Sequence, residues 1–418
     1  MLRNDPQALK QKVKEFRDFF DQFNGAFIER EDIVFRLMLA LLNRQHLLVM
    51  GPPGTAKTAV STQVFNNIVG DATFFEVELT KFMTDDGIFG PYNVKRMRDD
   101  GVLEHNVDGM LPEATFARLG EFLDANVATQ RSLLSALNER QLKRGRQQIQ
   151  MPLMTAYCDT NTDAARFLEL HPDSWAVLDR LMFVTSVGYV SSEENVAEMI
   201  RRYQSGRTRR IEHKLDFSVI RDLSDLVVGQ PSLFTDALVA KYYGVAIIRY
   251  REQRKALLSD PKKRVGIIMP EISDRRICIA SQLAETAAVL DARLHVKFDD
   301  LELCGHALGS TKQEFTLWQE ILKSLQPRFE QDRAKDITIA QNTALAAISS
   351  QLDQIEVSET DVDGIKRSLD TIEAQLSEIP SSDGTIEEAR SKLLSLCQEK
   401  KALLRGRILS AHGFATEV

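Results

Sequence analysis

Residues 46–58 read His46-Leu47-Leu48-Val49-Met50-Gly51-Pro52-Pro53-Gly54-Thr55-Ala56-Lys57-Thr58. The four apolar residues after His46 are too few for a helix and stop at a Gly/Pro turn, which is the pattern of a buried parallel strand. A helix is expected from about residue 58 to 69, and another strand over 73–79. Strand, glycine-rich turn, helix and strand in that order argue for an α/β domain. In that setting residues 51–58 have the form of a phosphate loop. Its backbone N–H groups and the helix N-terminus can cradle triphosphate oxygens. Lys57 would neutralise the β- and γ-phosphates, and the Thr58 hydroxyl would bind Mg²⁺. Ala56 departs from the strict pattern, in which a glycine precedes the lysine.

The rest of the chain bounds what this loop can belong to. Its 418 residues are enough for two or three domains. Lys and Arg number 53 against 60 Asp and Glu, a net charge of −7, which argues against a general nucleic-acid binder. The four cysteines make no CxxC pair, so neither a disulfide framework nor a zinc ribbon is expected. The first residues carry no apolar signal region, and no run reaches about 18 apolar residues, so no membrane span is expected. A cytoplasmic, reduced protein is the expectation. Residues 1–45 read as helices, with Leu9, Val13, Phe16, Phe19, Phe20 and Phe23 at helical spacing and a second apolar helix over 33–42. Residues 207–325 are helical by pattern, for example over 277–290. Past Pro327, Leu345, Ile348, Leu352 and Ile355, then Ile365, Leu369, Ile372, Leu376 and Ile379, keep a 3–4 spacing. A turn at 380–384 precedes Ile386, Leu393, Leu396 and Leu403. Such narrow stripes fit an antiparallel helical hairpin or coiled coil, or the edge of a helical bundle.

The octet GPPGTAKT at 51–58 resembles the MoxR branch of AAA+ ATPases, and its RavA-like members in particular. The similarity runs through most of 30–325. It includes IFGPYNVKRMRDDGVLEHNVDGMLPE at 88–113, LLSALNER at 133–140 and SDRR at 273–276. The resemblance implies an α/β P-loop core over 46–206, a parallel sheet with flanking helices on which residues 1–45 pack. An all-α lid over 207–326 and a C-terminal helical hairpin or coiled coil over 327–418, a candidate docking arm, complete the chain. It also implies a hexameric ring with ATP or ADP and Mg²⁺ between subunits. Gly51, Pro52, Pro53, Gly54, Thr55, Ala56, Lys57, Thr58 and Ala59 would hold the nucleotide, with Thr58 on the metal.

Further roles carry over by position. Counting back from 133–140 puts the family's Asp-Glu pair, the Walker B acids, at Gly120-Glu121, within ATFARLGEFLDAN. Glu121 is then the residue that polarises the attacking water. The Asp is missing, Gly120 stands in its place, and Arg118 interrupts an apolar strand. Asp124 is out of register. Such a loss should weaken metal-dependent turnover more than triphosphate binding. Residues 154–158 read as a strand, and Asn161 after it matches sensor 1, which reads the γ-phosphate. Arg180, in Leu178-Asp179-Arg180-Leu181, matches the arginine finger that reaches a neighbouring subunit. Arg275 is the sensor 2 choice, contacting nucleotide from the lid, with Arg276 as the fallback.

Other features bear less weight. Arg201, Arg202, Arg207, Arg209 and Arg210 form a basic cluster that reads better as a solvated linker than as a nucleic-acid site. Residues 138–151, with Gly145 inside, suggest a β-hairpin, which lines the ring pore in AAA+ relatives of this arrangement. His105, His171, His213 and His306 lack metal spacing. Three functions remain open: a ring-forming, ATP-driven remodelling or assembly factor; a nucleotide-binding scaffold that hydrolyses little because of Gly120; and, ranked last, a nucleic-acid motor. Family analogy suggests a partner with a von Willebrand factor A domain, or a metalloenzyme client needing activation.

Overall fold

The computed structural model describes every residue except 1, 145, 164–165, 169–174, 206–210, 263, 265, 269–270, 358–360, 381–383 and 412–418. Gly145, His171, Arg207, Arg209, Arg210 and the middle of the 380–384 turn therefore lie outside the described residues. Among the described residues there are nine strands: β1 (Leu47–Met50), β2 (Ile68–Val69), β3 (Phe74–Glu78), β4 (Phe116–Gly120), β5 (Gln141–Arg144), β6 (Gln147–Gln150), β7 (Thr155–Thr160), β8 (Phe183–Ser186) and β9 (Leu215–Asp216). Five of them form one parallel sheet in the order β3-β4-β7-β1-β8. Every residue of β1, β4 and β7 is buried. Burial on both faces is why β1 is an unbroken apolar run rather than an alternation. The register aligns Glu76 with Arg118, Arg118 with Tyr157, and Tyr157 with Leu47. One row further, Glu78 stands beside Gly120, and Asp159 beside Val49. Side chains two residues apart on a strand share a face, so Glu76, Glu78, Arg118, Tyr157 and Asp159 all project on one side of the sheet.

Helix α1 (Pro6–Ala26) starts with proline behind Asp5, whose carboxylate accepts from the N–H groups of Gln7 and Ala8 at 3.1 and 3.0 Å. Its phenylalanines Phe16, Phe19, Phe20 and Phe23 are buried and meet one another in tilted and edge-to-face pairs. Helix α2 (Glu31–Asn43) is buried on nearly all sides. It touches β1, β7 and β8 on one flank and the helices Phe217–Val228 and Asp274–Leu290 on the other. The buried Asn43 amide donates to Thr286 Oγ1 at 2.9 Å across that second contact. Because α2 is core to both the sheet and the helical segment, Met1–Leu325 form one compact unit. Segments 1–45, 46–206 and 207–325 are parts of that one body. The parallel pair β2 and β9 links the end of helix α3 (Lys57–Asn66) to the start of the helical segment.

The hairpin expected over 138–151 is present as the antiparallel pair β5 and β6. Arg201 and Arg202 of the basic cluster lie on the helix Glu193–Gln204 and both pair with Glu198, as a solvated surface would. Among its described residues the second unit, Gln326–Val418, contains three helical segments: the later part of Lys312–Gln354, then Val362–Glu378 and Gly384–Ala411. Leu345, Ile348 and Leu352, Leu369, Ile372 and Leu376, and Ile386 with Cys397 make its core. A break after Gln354 thus adds a third helix to the expected hairpin, and the apolar stripes share one core, apart from Leu403, which is exposed. Among the described residues, no helix is long and apolar enough to cross a membrane.

Candidate nucleotide site

The phosphate loop leaves the C-terminal end of β1, the edge of an open α/β sheet where ligands bind. Close packing explains its first glycine: a Cβ on Gly51 would lie 2.2 Å from the Val187 carbonyl oxygen. Ala56 takes a left-handed φ of +63°. The glycine usual at that place would adopt this without strain, whereas a Cβ there costs about 1–2 kcal/mol. The loop is fastened from behind. Arg30, 6% exposed, donates through Nε to the Thr55 carbonyl at 2.7 Å and through Nη2 to that of Gly188 at 3.0 Å. Thr55 Oγ1 donates to the Pro52 carbonyl at 2.8 Å. Tyr157, buried under the first turn of α3, donates its hydroxyl to the Lys57 carbonyl at 2.8 Å. No side chain caps the N-terminus of α3, so its first N–H groups stay open to an anion.

Lys57 points into the loop. Its Nζ donates to the carbonyls of Gly51 and Pro52 at 2.7 and 2.9 Å and to Asn161 Oδ1 at 2.9 Å. Burial pulls its pKa below the ordinary lysine value. Glu121 follows β4 in a left-handed conformation, φ +50°, which turns its carboxylate toward the same place. Glu121 accepts from the Asn161 side-chain amide, and from the Asn161 backbone N–H at 3.2 Å. Lys57, Asn161 and Glu121 therefore form one hydrogen-bonded chain at the mouth of the loop. Pro53, Gly54, Thr58 and Ala59 around it are exposed.

Beneath this chain, Arg118 interrupts the apolar pattern of β4 without breaking the strand. Arg118 is 2% exposed within a fully buried strand. Its Nε donates to Asp159 Oδ2 at 2.7 Å and its Nη1 to Glu76 Oε1 and Glu78 Oε1 at 2.9 and 2.7 Å. Its Nη2 donates to Thr58 Oγ1 at 2.9 Å and to Asp159 Oδ1 at 3.1 Å. Burial opposes the charge on Arg118, but the Asp159 and Glu78 bonds more than offset this and hold its pKa above the ordinary value. Burial pushes the Asp159 carboxyl up, and the Arg118 bonds draw it part of the way back.

These residues decide which ligands fit. The loop, the open helix N-terminus and Lys57 suit a nucleotide's phosphates. The Mg²⁺ set does not fit. Gly120 supplies no carboxylate, and the Glu78 carboxylate that fills its space, 1.9 Å from where a Gly120 Cβ would be, is already bonded to Arg118. Thr58 Oγ1 already accepts from a guanidinium. A divalent ion ligated at about 2.1 Å would share that oxygen with Arg118. Among the described residues no cluster of three acidic, His or Cys side chains offers a metal another site.

Arg180 and Arg275 stand elsewhere. Arg180 lies just before β8, after the short helix Trp175–Leu178, at the N-terminal edge of the sheet. It donates to the Ala176 carbonyl, and its buried Nε has no partner among the described residues. Arg275 is on the first turn of the helix Asp274–Leu290, which Ser273 caps. Ser273 also donates to Asp179 at 3.0 Å. Burial, then the Arg180 charge, lowers the Arg275 pKa. His46, just before β1, also feels the Arg275 charge. The two arginines thus sit together, away from their own P-loop, so a sensor role for Arg275 toward its own chain's nucleotide is not what the geometry provides. Arg276, the fallback, is fully buried. Its Nη1 donates to the Met182 and Ala307 carbonyls at 2.8 and 2.7 Å, and its Nη2 to Leu181 at 3.0 Å. It braces the helical segment against the sheet, and these carbonyls take up its donors.

Sequence reasoning did not assign roles to Glu76, Glu78, Tyr157 or Asp159. The signal of Glu76, Glu78 and Asp159 was present as charges of one parity near the ends of otherwise apolar strands, but pairing them needed the sheet order.

Residues 14–225 match the family model described as the MoxR domain in the MoxR-vWA-beta-propeller ternary systems. Two Methanocaldococcus jannaschii proteins are similar over most of their length. MJ0079 is 23% identical over 79% of each chain, and MJ0812 is 29% identical over 71% of each. The chaperone MoxR1 of Mycobacterium tuberculosis is 28% identical over 40% of this chain and 42% of its own. A crystal structure from Cytophaga hutchinsonii, named as a candidate ATPase, shares the fold. Its TM-score is 0.55 at 16% identity, over 77% of this chain and 96% of that one. With half the chain matched by the model and the P-loop, parallel sheet and helical segment in place, this chain belongs to the MoxR family of AAA+ ATPases.

Proposed function

We propose that the chain binds ATP at the P-loop and assembles into a six-membered, RavA-like ring, in which Arg180 and Arg275 of one copy complete the site of the next. The carrying observation is the division of the site. Lys57, Asn161 and Glu121 are joined at the loop, while Arg180 and Arg275 share the opposite edge of the same sheet. Four residues of β1 and its flanks, at about 3.3 Å each, separate the two edges, further than an arginine side chain spans. Neither arginine can serve its own nucleotide.

In the assembled site Lys57 exchanges the Gly51 and Pro52 carbonyls for phosphate oxygens. Glu121 orients the attacking water, Asn161 holds Glu121 in place, and Arg180 of the neighbour offsets charge on the transferred phosphoryl. The nucleotide state then drives assembly or remodelling of a partner. The wording of the matched family model supports a von Willebrand factor A domain protein as that partner, with a metalloenzyme client as the other class. The second unit, Gln326–Val418, is the candidate docking arm. Free cysteines throughout the described residues favour a reducing compartment, the cytoplasm.

Gly120 and the Arg118 network favour one variant of this reading, a ring that binds ATP tightly and hydrolyses it slowly. Phosphate release measured against chain concentration, with Lys57→Ala as the blank, tests both. Release per chain should rise with concentration, and mixing Lys57→Ala with Arg180→Ala should restore part of it. Release at the blank level despite ATP binding selects the slow scaffold. Release independent of concentration, with no recovery on mixing, rules out the shared site.

A further inference from the structure

At the Gly120 corner the chain carries its own cation. The Arg118 guanidinium has five N–H donors, and the five acceptors around it use all of them: Asp159 twice, Glu76, Glu78 and Thr58. Glu78, across from Gly120 in the register, leans into the space a Walker B aspartate would fill. Thr58, the hydroxyl that faces the phosphates, is the only one of the five acceptors that belongs to the loop.

Resting on the nucleotide reading above, we propose that Arg118 is the resident cation of this site and that nucleoside triphosphate binds here without requiring a divalent metal. A hydroxyl has one proton and two lone pairs. A guanidinium only donates, so Arg118 takes a lone pair of Thr58, and the Thr58 proton is left to give to a phosphate oxygen. Thr58 thereby turns from a metal ligand into a hydrogen-bond donor. Arginine keeps its charge at every working pH, so the fork can always donate to Thr58, although the carboxylates of Asp159, Glu76 and Glu78 offset its charge. Asp159, buried and doubly bonded, sets the direction of the fork, while Glu76 and Glu78, with side chains 39% and 58% exposed, are screened by water. A metal ion could take Thr58 only by breaking the fork away from it. Arg118 sits on a fully buried strand, so that displacement would leave the guanidinium near the ion.

The test is calorimetric titration of the full chain with ATP, in excess EDTA and in excess Mg²⁺. The wild-type Kd is expected to change by less than about threefold between the two. Arg118→Met removes the charge-assisted bond to Thr58 and should weaken binding in EDTA by about tenfold or more. Mg²⁺ should restore it. The double variant Arg118→Met with Asp159→Asn repeats that measurement without the unpaired buried carboxylate, in case the single variant folds poorly. Wild-type affinity that rises about tenfold or more on adding Mg²⁺, with Lys57→Ala abolishing it, overturns this inference and leaves the nucleotide reading standing. Variants that bind in EDTA as wild type does also overturn it. No ATP binding in either buffer overturns both.

Discussion

Replacing Arg118 with methionine keeps an unbranched apolar stem and removes the guanidinium with its charge. In the native chain the Arg118 and Asp159 side chains are 3% and 4% exposed and doubly bonded. Removing one partner of such a pair leaves a buried, uncompensated carboxylate, at a cost of about 3–5 kcal/mol. The bonds to Glu76 and Glu78 add at most about 1 kcal/mol each, because those carboxylates can turn into water. Arg118→Met should therefore lose about 4 kcal/mol at pH 8. Burial already pushes the Asp159 carboxyl up, and losing Arg118 lets it rise further. Below that raised pKa the carboxyl is neutral, so the loss should shrink as pH falls, by up to about 1.4 kcal/mol per unit. Arg118→Met with Asp159→Asn should recover most of the stability, a coupling of about 2–3 kcal/mol. Urea unfolding followed by fluorescence of the buried Trp318 reads all three variants. A single variant within about 1 kcal/mol of wild type at pH 8, or a double variant no better than the single, would refute the buried network.

Three further outcomes follow from the same structure. His46 accepts from the Ala156 N–H and contacts the Leu137 carbonyl, and burial lowers its pKa to about 3 and that of His306 to about 4. Both are neutral in the native chain and protonate near 6.5 when unfolded, so stability is full above pH 6.5 and falls below it. The slope should approach about 1.4 kcal/mol per pH unit for each group, seen as a falling melting midpoint between pH 7 and pH 5. Arg276→Ala orphans the Met182, Leu181 and Ala307 carbonyls and the Asp179 pair. It should cost about 3–5 kcal/mol in the same urea assay. Arg180→Ala and Arg275→Ala should leave ATP affinity within about twofold and lower phosphate release by about 100-fold or more, read by parallel calorimetry and turnover.

The strand, loop and helix at 47–66 were legible because each is coded locally, by an apolar run, a glycine-rich turn and a helix that follows at once. The helices of 1–45 and the Asp274–Leu290 helix announced themselves by periodicity. Arg118 was not legible, because what makes it tolerable lies about 40 residues away on either side, in Glu76, Glu78 and Asp159. Only the parallel register brings those strands together. The choice between Arg275 and Arg276 also lay beyond sequence. The two are adjacent, and packing alone buries Arg276 under four carbonyls while leaving Arg275 half-exposed. The second unit showed its stripes but not that three helices would share them. The break after Gln354 carries no glycine or proline to mark it.

The claim on which everything else depends is that the loop at 51–58 holds a nucleotide. Titrating the full chain with ATP by calorimetry, beside Lys57→Ala, tests it directly. The account predicts one site per chain, with heat that vanishes when Lys57 is replaced. An unchanged isotherm in Lys57→Ala, or no heat from either protein, would contradict it.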